Sequence, residues 1–103
     1  MTEQEAIQVI RELISGDQSI FVQLALKRGL DPAAMARLEA AMRYLATVYR
    51  DRDHVPKTVA GAFVDISRDF ERHLRLYPRA EQIKIENARD LTVSLAYDLF
   101  GVS

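Results

Sequence analysis

Asp65, Asp69 and His73 stand at i, i+4 and i+8, so one continuous helix through them would present two carboxylates and an imidazole on a single face. Metal ions accept that ligand set, and paired carboxylates can exchange protons as acid and base. A carboxylate-bridged di-metal bundle, however, draws glutamates and Glu-x-x-His motifs from several helices, and no such motif occurs in this chain. His54 beside Asp51 and Asp53 offers a second imidazole among acids, suited to a transient metal contact or a pH-sensitive turn. The ordinary account of both histidines is a surface side chain near acids. No metal site is therefore expected, and Asp65, Asp69 and His73 are the alternative set.

Arg68, Arg72, Arg75 and Arg79 recur at spacings of four, three and four, a candidate row for binding an anion or orienting a partner if Pro78 does not break the line. Asp65 with Arg68, Asp69 with Arg72, and Glu71 with Arg75 have salt-bridge spacing, so a charge-laced solvated face describes the same residues. Serines at 15, 19, 67, 94 and 103 lack a Gly-x-Ser-x-Gly setting, and the four glycines form no phosphate-binding loop. The chain contains no cysteine, which removes disulfides, thiolate nucleophiles and Cys-based zinc sites together. No catalysis and no cofactor are expected from these residues.

Residues 21 to 38, FVQLALKRGLDPAAMARL, resemble a bacterial helix-turn-helix, with Ala25 in the first helix, Gly29 and Leu30 in the turn, and Met35 and Leu38 facing inward from the second. The resemblance implies a DNA-binding regulator using residues 21 to 41. Its outward positions would be Ala33, Ala34, Arg37 and Ala41, which supply one guanidinium, Arg37, and otherwise methyl groups. Base readout draws on Arg, Lys, Asn and Gln, and phosphate binding on surrounding positive charge. With 14 basic and 15 acidic residues the chain has no global basic field, and a plain helical hairpin accounts for the same pattern.

At 103 residues, 49 % hydrophobic and 28 % charged, the composition is that of one globular domain spanning 1–103. The opening MTEQEAIQVIREL is acidic and amphipathic, unlike a secretory signal, and no apolar run approaches the roughly 20 residues that cross a bilayer. A cytoplasmic protein with no membrane partner is expected.

The elements that must position these residues read as five helices. Thr2 and Glu5 form a capping box for a helix over 3–15, with Ala6, Ile10, Leu13 and Ile14 at helical spacing until Gly16. Asp17 or Ser19 can cap a second, nearly all-apolar helix over 18–28, ending at Gly29. Asp31 and Pro32 start a third, whose Met35, Leu38, Met42, Leu45 and Tyr49 form a seam to about Arg52, beside a row of small residues at Ala33, Ala36 and Ala40. Pro56 opens a fourth over 56–77 with a core face of Val59, Phe63, Ile66, Phe70, Leu74 and Tyr77 and a close-packing point at Gly61. The fifth, 79–100, contains the densest apolar stretch, Asp90 to Phe100, and stops at Gly101. That stretch also alternates as a strand would through Leu91, Val93, Leu95, Tyr97 and Leu99, and only Ile20 to Leu26 could pair with it, so an α+β fold is the rival.

In an all-α bundle the second and fifth helices are apolar on more than one face, so they are either central core helices or carry more apolar surface than one small core can surround. The surplus points to a partner, most economically a second copy in a homodimer, otherwise another protein. Ile20, Val22, Leu26, Val93, Tyr97 and Phe100 are the interface candidates. The expected function is a non-catalytic interaction or regulatory module, with DNA binding and a metal-dependent bundle enzyme as alternatives.

Overall fold

The computed structural model describes residues 1 to 101, and among them every regular element is helical. α1 spans Glu3–Ile10, starting where the Thr2 hydroxyl accepts the Glu5 N–H at 3.1 Å. It continues as a widened π turn over Arg11–Ser15 and stops at Gly16. α2 is Ile20–Ala25, capped by the buried Ser19 hydroxyl, which accepts the Val22 N–H at 3.2 Å. α3 is Pro32–Tyr49, with the Asp31 carboxylate accepting the Ala33 N–H at 2.9 Å. α4 (Lys57–Ala62), α5 (Ile66–Glu71) and a 3-10 turn over Leu74–Leu76 follow, and α6 (Arg79–Phe100) ends at Gly101 in the left-handed region, φ 71°.

The three long helices form the frame. α1 runs antiparallel to α3, since Glu3 meets Tyr49 and Arg52 at one end while Glu12 meets Arg37 toward the other. α6 lies beside α3 in the same direction, with Met35 and Glu81 on one shared groove and Arg50 and Gly101 on another. α5 returns antiparallel along α6, joined by the Glu71–Arg89 ion pair at 2.9 Å and by Phe63 against Phe100 at 5.9 Å between ring centroids. Ile10, Leu24, Leu38, Met42, Leu45, Val59, Phe70 and Ile85 are fully buried between these helices. Thr92 is buried with them, and its hydroxyl donates to the Ala88 carbonyl at 2.8 Å, so the polar group is satisfied within its own helix. None of the helices is long and apolar enough to cross a membrane among the described residues.

The all-α bundle is the architecture the sequence implies, and the paired-strand rival is absent from the described residues because both stretches lie in helices. Element bounds differ in four places. The second helix ends at Ala25, not near residue 28, because Lys27 adopts φ 60° while the Lys27 and Arg28 N–H groups bond back to the Leu24 and Gln23 carbonyls. That is a Schellman stop with lysine where glycine is usual. The third helix ends at Tyr49, before the expected Arg52.

The expected single helix over 56–77 is broken at Phe63–Asp65 and again at Arg72–His73. Its inward stripe holds over Val59, Phe63, Ile66 and Phe70, all buried, while Leu74 and Tyr77 beyond the second break are half-buried. The break arises because its two halves serve different neighbours, α4 packing on α1 and the π turn and α5 on α6.

Small residues also fall elsewhere than expected. A methyl at Gly61 would meet nothing within 4 Å, so this glycine is no close-packing point. Ala33, Ala36 and Ala40 face solvent, while Ala41, expected outside, is buried.

Candidate functional site

Breaking the 56–77 helix disperses the residues whose spacing suggested chemistry. Asp65 sits in the first break, Asp69 within α5 and His73 in the second break, so they do not share one helix face. Among the described residues no three His, Asp or Glu side chains gather in a group that could hold a metal ion. The arginine row is divided in the same way. Arg72 pairs with Asp69 at 3.1 Å and Arg79 with Glu86 at 3.1 Å, whereas Arg68 and Arg75 make no ion pair among the described residues. Glu71, expected to meet Arg75, is taken by Arg89, whose pKa is raised chiefly by its hydrogen bond to Asp90 and further by Glu71.

The helix-turn-helix candidate keeps its turn, and of its outward positions Ala33 and Arg37 are exposed, Ala34 is half-buried and Ala41 is buried. α3 is packed between α1 and α6, with Leu38, Ala41, Met42 and Leu45 buried, and Arg37 is drawn to Glu12 at 3.7 Å. The turn itself is latched from a distance. The Tyr77 hydroxyl donates to the Leu24 carbonyl at 2.7 Å and accepts the Gly29 N–H at 3.2 Å, and Glu81 accepts the Leu30 N–H at 3.4 Å. These bonds hold the loop after α2 against residues 77 and 81, the Leu24 carbonyl accepting from Tyr77 as well as from the Lys27 N–H. The cleft beside this turn, about 910 Å³, carries both charge signs, including the Glu12–Arg37 pair, Asp17 and Arg28.

The interface candidates separate into four environments. Ile20 is core, Val22 is half-buried, and Leu26 is 54 % exposed at the end of α2. Val93, Tyr97 and Phe100 do come together on α6, at a groove of about 460 Å³ between this helix and the start of α5. Phe63, Ile66, Val93, Ala96 and Phe100 line the groove, and Arg68 and Glu71 contribute charge to its wall. Val64 and Tyr97 stand at its mouth, 77 % and 56 % exposed. Val64 was invisible as a site residue because it falls beside the inward stripe of an apparently continuous helix. The break at Phe63–Asp65 is what leaves it in water.

A second cluster ties the chain ends of the frame. The Tyr49 hydroxyl donates to Glu3 Oε2 at 3.0 Å, and Arg52 reaches the same carboxylate at 3.2 Å while lying 5.4 Å from the Tyr49 ring centre. Burial first, then the hydrogen bond to the Glu3 carboxylate and its charge, push the Tyr49 pKa from 10.0 up to about 12, against the opposing effect of Arg52. A raised folded-state pKa means that the stabilisation from the neutral phenol is fully present below the unfolded value, 10.0, and is lost as pH rises through about 12. A phenolate absorbance titration of the folded chain is expected to show Tyr49 ionising near 12, and Glu3→Gln should bring it down. Tyr49 ionising at 10.0 instead would show that the Glu3 contact is not held in solution.

The fold and the groove together define a small all-α bundle with a surface groove of mixed apolar and charged lining. Comparison with known proteins gives no match to a family model, to a curated protein or to a solved structure.

Proposed function

We propose that the chain is a small non-catalytic protein-interaction module that self-associates as a two-fold homodimer through the groove between α5 and α6. The observation that carries this reading is the pairing of projecting and recessed apolar surface in one place. Val64 and Tyr97 project into water beside a recess lined by Phe63, Val93 and Phe100. A two-fold contact needs one patch to be complementary to itself, and a knob beside a hole meets that need. Arg68 and Asp65, neither in an ion pair among the described residues, line the same groove, so each copy can offer its arginine to the other's carboxylate and fix orientation.

The patch is small beside the roughly 1,200 to 2,000 Å² that stable complexes bury, so the dimer is of the weak, rapidly exchanging kind.

Sedimentation equilibrium over a range of concentration tests it. The unmodified chain is expected to self-associate in the micromolar range, and Tyr97→Asp or Val64→Asp to abolish this while leaving helicity unchanged, because both side chains are exposed. A chain that stays monomeric at high micromolar concentration removes the reading.

A further inference from the structure

We propose that the Phe63–Asp65 break is a hinge through which two copies exchange their N-terminal halves, α4 and α5 straightening into one helix in the exchanged dimer. Three observations carry it, none of them the apolar lining of the α5/α6 groove, although Phe63, Val64 and Asp65 also form part of that groove's wall.

First, none of the three residues of the break encodes it, and the nearest helix-weakening residue is Gly61 inside α4. α1, α2 and α3 each begin at a residue whose side chain caps the backbone, namely Thr2, Ser19 and Asp31. Asp65 occupies the equivalent position of α5 but makes no cap hydrogen bond. Phe63, Val64 and Asp65 include neither proline nor glycine, the residues that ordinarily interrupt a helix. Second, the bonds across the break are of the tight i to i−3 type, Phe63 N–H to Ala60, Val64 N–H to Gly61 and Ile66 N–H to Phe63, at 3.2, 3.4 and 3.4 Å. Straightening would replace them with the better-aligned bonds of an α-helix and keep Val59, Phe63, Ile66 and Phe70 on one stripe.

Third, the break divides the chain into two bodies that already hold each other by surfaces far from it. α4 belongs with α1 and the π turn, while α5 belongs with α6. The two sides meet through α3 against α6, through Phe21 on Phe70, and through the Tyr77 bonds to Leu24 and Gly29. All of these contacts can be rebuilt between copies. A short connection that resists its bent conformation favours such exchange.

The test is to refold the full chain at high concentration, dilute it, and follow mass by light scattering behind gel filtration. The expected product is a dimer that persists on dilution, since its release requires unfolding of the exchanged halves. Asp65→Ala removes no cap and favours a continuous helix, and it also takes away the carboxylate assigned to the groove contact, so it is expected to raise the persistent dimer alone, by about fivefold, the residue preference counting once per chain. Val64→Gly is expected to suppress the dimer. Tyr97→Asp separates the two associations, because it abolishes the groove contact and leaves the persistent dimer in place. A chain that gives no persistent dimer after concentrated refolding, with Asp65→Ala no different, overturns the hinge. Loss of the persistent dimer in Tyr97→Asp overturns it as well, by showing that the groove alone carries association.

Discussion

Phe70→Ala is expected to lower the free energy of unfolding by about 3 to 5 kcal/mol, the range for removing a fully buried aromatic ring. Phe70 has no exposed surface, and its ring meets Phe21 edge to face at 4.9 Å between centroids with the planes at 89°. α5 has only six residues, and Ile66 and Phe70 are its buried ones, so this ring is the main anchor holding the short helix to the rest of the core. The edge-to-face contact adds about 0.5 to 1.5 kcal/mol beyond the area it buries. Small domains are stable by about 5 to 15 kcal/mol in total, so the variant should be partly unfolded at moderate temperature. Urea unfolding followed by circular dichroism measures the loss. A change below about 1 kcal/mol would mean that neighbouring side chains collapse into the space, and that α5 is held mainly by its ion pair to Arg89.

The helix starts were readable because their information is local. A hydroxyl or carboxylate placed just before an apolar period satisfies N–H groups a few residues on, whatever the rest of the fold does. Thr2, Ser19 and Asp31 each act this way. The Schellman stop at Lys27 was not readable, since Gly29 two residues later offered the more usual residue for such a stop. The break in the 56–77 helix was less readable still. Its inward stripe is the same whether the helix is straight or bent, and the choice is made by α1 and α6, which lie far away in sequence.

The candidate site was legible only in part for the same reason. Val93, Tyr97 and Phe100 were picked from a helix apolar on two sides, and the structure does bring them to one groove. Which of them faces water depends on Phe63, whose ring covers Phe100 and leaves Tyr97 outside. Val64 joins them only because of the bend. Ile20 and Leu26 came from a helix of similar composition, yet one is core and the other lies at a helix end, since six residues of α2 expose little beyond their termini.

Two glycines receiving the same methyl group should respond with opposite sign, and together they test the π turn that shapes the first helix. Gly16 has φ −78° and ψ 171°, a conformation open to any residue, so backbone strain gives no reason for glycine there. The reason is space. A Cβ at Gly16 would lie 2.7 Å from the Glu12 carbonyl oxygen and 3.2 and 3.3 Å from the Glu12 Cα and carbonyl carbon. All three are backbone atoms of the π turn and cannot swing aside as a side-chain end could. Gly16→Ala is therefore expected to cost about 1 to 3 kcal/mol, the usual penalty for forcing volume into a filled site. At Gly61 the added methyl meets nothing within 4 Å and the residue lies inside α4. Gly61→Ala should then gain about 0.5 to 1 kcal/mol from helix propensity alone. Unfolding midpoints of the two variants, measured side by side, decide the matter. Equal shifts would mean that residues 11 to 15 relax to an ordinary α-helix in solution, which would move the Glu12 carbonyl away from Gly16.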